Sequence, residues 1–181
     1  LLLFEKQLHI PIWLQPVGRM HPLLLHLPIG FLILILLLPL LKREVSADAL
    51  DKLQSFTLHL AALSASMTAL MGLFLAQEEG YDTELVNWHK WFGVGVSFLT
   101  YGLLYWHNQF SYHKSGFNIA LAINVVVLVI AGHLGASITH GTDYILKPIR
   151  KENPIAATLN MPVFVAAIQP ILEKKCYNCH N

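Results

Sequence analysis

The chain has 181 residues, of which 55% are hydrophobic and only 13% are charged. Soluble domains usually carry about 25% charged residues, so this composition excludes an ordinary soluble globule and a disordered chain. Lys and Arg (12) nearly balance Asp and Glu (11), which leaves a formal net charge of +1 and no basic excess for binding nucleic acid. The composition predicts an integral membrane protein, in which the ten histidines are the polar exception.

Four apolar runs are long enough to cross a bilayer, which takes about 20 apolar residues. In chain order they are residues 22–41, 56–76, 88–106 and 117–139. These runs are apolar on all sides rather than along one stripe, as lipid-facing helices are. The connections between them are short and polar, so we expect an all-α, up-down four-helix transmembrane bundle.

The only two cysteines stand near the C-terminus, in the sequence Cys176-Tyr177-Asn178-Cys179-His180. C-x-x-C-H is the attachment pattern of c-type haem. In that interpretation the two thiols form thioethers with the macrocycle, and His180 is the proximal iron ligand. The alternatives are a chance C-x-x-C and half of a zinc site. We predict a covalent haem c here, at the beginning of a cytochrome c domain.

Haem c is attached outside the cytoplasm, so both termini should face the periplasm of a bacterial inner membrane. The loop charges alone do not decide this orientation. Residues 1–20 are too short to span and are broken by Pro11 and Pro16, so we expect them at the membrane interface. The predicted division is an interfacial segment at 1–20, a transmembrane domain at 21–141, a linker at 142–160 and the start of the cytochrome c domain at 161–181.

Several histidines fall in or beside the apolar runs, where a strongly polar side chain indicates function by default. At a rise of about 1.5 Å per residue, His26 and His133 lie at similar depths below the outer surface. His89 and His140 both lie at that surface. Each of the four has a glycine nearby, which leaves room for a flat macrocycle; these are Gly30, Gly93, Gly132, Gly135 and Gly141. We predict haem b between His26 and His133, with His89 and His140 as the competing pair or the ligands of a second haem.

Two other arrangements stay open. His59 and His107 lie near the inner ends of their runs, among bulky neighbours that disfavour a haem. Zinc or copper could instead bind near the outer surface, with His21 joining His26, His89 and His140 as a ligand. His21 and His26 are separated by about 140° around a helix, so they share one ion only if proline distorts the backbone.

Three histidine-containing motifs resemble a family of small four-span membrane proteins known as DUF2231. They are HPLLLHLPIG at 21–30, NWHKW at 87–91 and GHLGASITHG at 132–141. The resemblance covers about residues 20–145 and marks His21 along with the four histidines above, without indicating a pair. The tail at 162–180 resembles the opening of a planctomycete-type cytochrome c domain, in which the helix before C-x-x-C-H packs on the haem. Together the two resemblances imply a membrane module fused to a periplasmic cytochrome c.

The predicted function is a membrane-bound electron-transfer subunit that moves electrons between haem b in the bundle and the C-terminal haem c. The alternatives are a transmembrane anchor with no redox cofactor in the bundle, and a histidine-rich metal-binding membrane protein. The runs hold no paired carboxylates or nucleophile, which disfavours an independent enzyme. The expected partners are the lipid bilayer and redox proteins of a larger membrane complex, with a quinone as a further candidate.

Overall fold

The computed structural model describes residues 10–78, 80, 83–109, 114–149 and 164–177. Every regular element within those residues is helical, which confirms the all-α prediction. The chain divides into two units, Leu1–Thr139 and His140–Asn181. The elements of the first unit are a 3-10 turn at Ile12–Leu14, α1 (Gln15–Arg19), α2 (His21–Leu24), α3 (His26–Leu37), a 3-10 helix at Leu38–Arg43, α4 (Ala47–Leu75), α5 (Thr83–Gln109) and α6 (Lys114–His140, whose last residue opens the second unit).

Prolines divide the first apolar helix into short segments. Pro16 and Pro22 stand in the first turns of α1 and α2, and Pro39 stands in the first turn of the following 3-10 helix. Pro28 is the third residue of α3. A proline in the first turn costs little, because the N–H that it lacks would have no intrahelical acceptor there. The apolar helix therefore begins at Ile12, before the predicted start at 22, even though several prolines lie within it.

The three later helices correspond to the three later apolar runs, and each is longer than the run that predicted it. Ser46 caps α4, with its Oγ accepting from the Ala49 N–H at 3.3 Å, and a surface ion pair between Asp48 and Lys52 (2.8 Å) follows within the first turns. Because the cap and the ion pair favour a helix, α4 starts nine residues before the predicted apolar run (47 against 56).

The four long helices α3, α4, α5 and α6 share one apolar core. Each contributes two of its buried residues; in chain order they are Leu32, Ile35, Leu58, Ala61, Val96, Leu103, Phe117 and Leu121. The small residues Ala61 and Ala65 of α4 are almost completely buried, and small residues at such positions allow the close contact that packing between membrane helices favours.

Polar side chains also lie inside this unit and connect its helices. The Ser66 and Ser97 hydroxyls, on α4 and α5, are 3.1 Å apart. The amide of Asn124 on α6 donates to Thr100 Oγ1 on α5 at 2.9 Å, and both residues are completely buried. Hydrogen bonds of this kind hold membrane helices together where no water competes for them.

Large apolar side chains cover the outside of the unit instead. Phe98 is 74% exposed, Val129 64% and Ile119 63%, and many leucines of α3 and α4 are about half exposed. An exposed apolar surface of this extent is typical of contact with lipid. Among the described residues, three helices are long and apolar enough to cross a membrane, Ile12–Arg43, Ala47–Leu75 and Gly116–His140. The described part of α5 does not reach that level of hydropathy, because glycine, tyrosine, tryptophan and histidine dilute its apolar residues.

The second unit is described only in part. After α6 the chain makes turns up to residue 149, and a π-helix at Phe164–Ile168 leads into α7 (Gln169–Lys175). Most of the predicted linker and part of the predicted cytochrome segment lie outside the described residues. The division of the chain at 20, 141 and 160 therefore stays a prediction.

A candidate paired-imidazole site

The structure brings His21 and His89 together. Their ring centroids are 5.9 Å apart and the ring planes are nearly perpendicular, at 84°. His21 is the first residue of α2 and His89 lies in the second turn of α5, and both are partly buried. We call these two side chains the paired-imidazole site.

The ring of His21 is held by the backbone of α4. Its Nδ1 lies 2.9 Å from the carbonyl oxygen of Thr68. The ring also packs on Gly72, where an added Cβ would lie only 3.0 Å from His21 Cε1 and Nδ1. Pro22 directly follows His21 and lies within the first turn of α2, so the histidine stands at a point where the helix restarts.

The ring of His89 is held in the same way by α6. Its Nδ1 lies 2.9 Å from the carbonyl oxygen of Ala131. An added Cβ on Gly135 would lie 2.9 Å from His89 Cε1, so the ring occupies the space that any other residue would fill.

The two anchors have the same spacing, because each glycine follows the accepting carbonyl by four residues. In an α-helix the Cα–Cβ bond tilts toward the N-terminus, so the side chain at position i+4 covers the carbonyl of residue i. Glycine at 72 and 135 uncovers the carbonyls of Thr68 and Ala131 for a second hydrogen bond from an imidazole.

These hydrogen bonds fix the tautomer of both rings. A carbonyl oxygen only accepts, so Nδ1 of His21 and of His89 carries the proton and donates it. In a neutral imidazole the other nitrogen, Nε2, then has a free lone pair. Carbonyl-anchored histidines with this tautomer are common metal ligands.

The favoured haem b pair lies elsewhere on the same unit. The side chains of His26 and His133 are both exposed, and Nδ1 of His26 is 3.2 Å from the carbonyl of Leu23 in its own turn. A Cβ on Gly30 or Gly132 would meet nothing within 4 Å, so the surface beside these two histidines is open. Ligation of a haem by this pair stays a prediction.

The remaining candidate histidines have local partners. His140 opens the second unit, and its ring is 5.8 Å from that of Tyr144, so its pairing with His89 also stays a prediction. His59 is exposed and bonds to the Ser55 carbonyl of its own helix at 2.7 Å. His107 Nε2 lies 3.7 Å from Asp51 Oδ1, next to the ring of Phe117.

The sequence placed His21 and His89 in one candidate zinc or copper set with His26 and His140, but it did not predict that these two rings pack against each other. The contact depends on which helix packs alongside His89, and no local sequence pattern shows this. Gly135, which the sequence analysis had associated with His133, lies against the ring of His89. Within the described parts of the chain, no group of three or more His, Cys, Asp or Glu side chains is arranged to hold a metal ion. A metal at the paired-imidazole site would have only these two ligands from the described residues.

The haem c motif begins where α7 ends. The N–H groups of Cys176 and Tyr177 both bond to the carbonyl of Leu172, at 2.8 and 2.9 Å, which closes the last turn. Cys176 is partly exposed and its thiol is free. Cys179 and His180 lie outside the described residues, so the structure does not test the ligand set.

Long apolar helices with exposed apolar surfaces, packed around a core in which a few polar side chains are hydrogen-bonded, define this chain as an integral membrane protein. Its sequence matches the family described as "Predicted membrane protein (DUF2231)" over residues 19–143. The match covers more than half of the chain, so the protein belongs to the DUF2231 family. Neither the curated proteins nor the solved structures contain a match.

Proposed function

We propose that this protein is a membrane-bound electron-transfer subunit, with haem c on its C-terminal segment and a histidine-ligated haem b in its helical bundle. The observation that carries the proposal is the C-x-x-C-H sequence at 176–180, which follows directly on α7. A haem in each position would supply one-electron redox chemistry.

The residues of the C-terminal segment fit a covalent haem. Cys176 is a free, accessible thiol at the end of a helix, as thioether formation needs. The last turn of α7 is closed on Leu172, which gives the first cysteine a fixed backbone position. Cys179 would supply the second thioether, and His180 would bind the iron.

We further propose α5 as a fourth span, which completes an up-down bundle with both termini in the periplasm of a bacterial inner membrane. Its 27 residues extend about 40 Å at 1.5 Å each, enough to cross a bilayer. Its exposed side chains support this placement, since Phe98 lies near the middle of the helix and Trp88 and Tyr105 lie toward its two ends. Aromatic side chains of this kind favour the membrane–water interface.

His26 and His133 remain the proposed haem b ligands, with His89 and His140 as the competing pair. The open surface beside Gly30 and Gly132 supports the first pair, because a flat macrocycle needs free space next to its ligands. Replacing His133 by Ala should remove the low-spin haem b signal of the purified chain. A signal that survives His133→Ala and disappears in His140→Ala would exclude the first pair.

Haem staining tests the main proposal. The full chain is expressed in bacteria that attach haem c, separated on a denaturing gel and stained for haem peroxidase activity. We expect staining of the wild-type band and none for the Cys176→Ala/Cys179→Ala variant, because only a covalent haem survives denaturation. An unstained wild-type band, or equal staining of both proteins, would contradict the proposal.

A further inference from the structure

We propose that His21 and His89 form a transition-metal site, in which Nε2 of both imidazoles binds one metal centre. This inference does not rest on the haem c proposal, and it assigns residues other than the favoured haem b pair. The shared chemistry is bis-imidazole ligation, and the metal is either a free ion or the iron of a haem.

The first argument is the hydrogen-bonding capacity of the two rings. Each Nδ1 donates its proton to a helix carbonyl, of Thr68 for His21 and of Ala131 for His89. Both Nε2 atoms are then acceptors when the rings are neutral. Two acceptor nitrogens cannot bond to each other, so each Nε2 is open to a proton donor or to a metal ion, and one metal ion would satisfy both lone pairs at once.

The second argument is distance. With metal–nitrogen bonds of about 2.0 Å and about 1.2 Å from a ring nitrogen to the ring centre, two imidazoles on one ion have centroids from about 4.5 Å apart at a right angle to about 6.4 Å apart on opposite sides. The observed 5.9 Å between the centroids of His21 and His89 lies within that range.

The third argument is the way both rings are fixed. Metal-bound histidines are usually oriented by a hydrogen bond from the second ring nitrogen to a carbonyl or carboxylate. Here each ring has such a bond and also a glycine surface, Gly72 or Gly135, that admits it. The duplicated anchor on two different helices restrains both rings before any ligand arrives, which lowers the entropy cost of binding.

No third metal-binding side chain joins the pair among the described residues. The other coordination positions are thus left for water in the case of an ion, or for the porphyrin nitrogens in the case of haem.

Copper is the probe for the ion arm, because imidazole sites generally bind Cu²⁺ most tightly among the divalent first-row metals. The purified full chain, without a polyhistidine tag, is loaded with less than one equivalent of Cu²⁺. Electron spin-echo spectroscopy then counts the bound imidazoles through their remote nitrogen atoms. We expect two in the wild type, one in His21→Ala and one in His89→Ala, and an affinity at least about tenfold lower in either variant, because losing a ligand should cost no less than losing an outer-shell partner.

His59→Ala is the matched control, since His59 is an exposed helical histidine bonded within its own helix. It should keep both imidazoles and the wild-type affinity.

The test for haem iron measures low-spin haem b in the same four proteins. Loss of the signal in His21→Ala and His89→Ala alone would assign the site to haem iron. The proposal is overturned if both His21→Ala and His89→Ala fail to lower either bound Cu²⁺ or haem b. It is also overturned if His59→Ala lowers one of these signals as much as His21→Ala and His89→Ala do. The wild-type imidazole count keeps the test decisive even where a variant folds poorly, because a count other than two also excludes the ion arm.

Discussion

The positions of glycine residues determine where a histidine ring can pack against a neighbouring helix in this protein. Gly72 and Gly135 each lie against a histidine ring, whereas a Cβ on Gly30, Gly93 or Gly132 would meet nothing within 4 Å. The difference is not visible from the distance in sequence between a histidine and the nearest glycine. It depends on which helix packs beside the histidine, and on which residue of that helix lies level with the imidazole ring.

Gly135→Ala should weaken the anchor of His89. The new Cβ would lie 2.9 Å from His89 Cε1, and the ring, as the end of a flexible side chain, would move and lose its bond to the Ala131 carbonyl. A net hydrogen bond is worth about 0.5–1.5 kcal/mol, so the free energy of unfolding in mixed micelles should be lower by about that amount than in Gly132→Ala, which makes the same glycine-to-alanine change in the same helix.

Gly132→Ala is the control on the same helix. Its methyl group meets open space, and alanine is the better helix former by up to about 1 kcal/mol, so stability should be unchanged or higher. Equal stability of the two variants would show that His89 does not rest on Gly135.

At this scale the sequence predicted candidate residues better than their pairing. His89 was identified because it lies at the outer end of an apolar run and has Gly93 one turn away. His21 was disfavoured by its angle to His26 on one helix, but its actual neighbour is on another helix. The acceptors of both rings are backbone carbonyls. Every residue has one, so the sequence does not show which carbonyl accepts the hydrogen bond.

Among the elements, the first apolar helix shows how prolines act by position. Each of its four prolines falls within the first three residues of a helical segment. A new segment therefore begins at each proline, and the helical path continues. The short α1 then packs against the end of α4, where Gly18 is buried and an ion pair joins Arg19 Nε to Glu78 Oε1 at 2.9 Å. An exposed ion pair of this kind contributes little, so the close contact at Gly18 is the larger restraint.

Gly18→Ala should destabilise this contact. An added Cβ would lie 2.9 Å from the backbone nitrogen of Leu75 and 3.0 Å from Phe74 Cβ, and neither atom can rotate away. Overpacking of this kind typically costs about 1–3 kcal/mol, which should lower the thermal midpoint followed by circular dichroism in detergent.

Gly102→Ala provides the comparison, because Gly102 is exposed on α5 and its Cβ would meet nothing within 4 Å. It should leave the midpoint unchanged or raise it. A Gly18→Ala protein as stable as the wild type would mean that α1 does not pack on α4 as described.

The apolar pattern predicted all four long helices, since a run of about 20 apolar residues has few other stable forms in a membrane. It did not predict their ends. The cap at Ser46 and the charged first turns of α4 extend that helix beyond its apolar part. α5 differs from the other three, because its polar and aromatic residues give it a composition between that of a span and that of an amphipathic helix.

For the whole molecule, the proposed topology depends on α5. Single cysteines are placed at exposed positions in a Cys176→Ala/Cys179→Ala background, as Gln77→Cys after α4 and Asn108→Cys near the end of α5. If α5 spans, Gln77→Cys should react with an impermeant thiol reagent in intact cells and Asn108→Cys should not. Labelling of both positions would place the two ends of α5 on one side of the membrane and contradict the four-span bundle.

The central claim is that this membrane protein carries haem on both its bundle and its C-terminal segment. A pyridine haemochrome spectrum of the purified full chain separates the two directly, because haem c is held by thioethers and haem b is not. The account predicts both signals in the wild type, and haem b alone in Cys176→Ala/Cys179→Ala. A wild-type protein with no c-type signal, when expressed with the haem c attachment machinery, would contradict it.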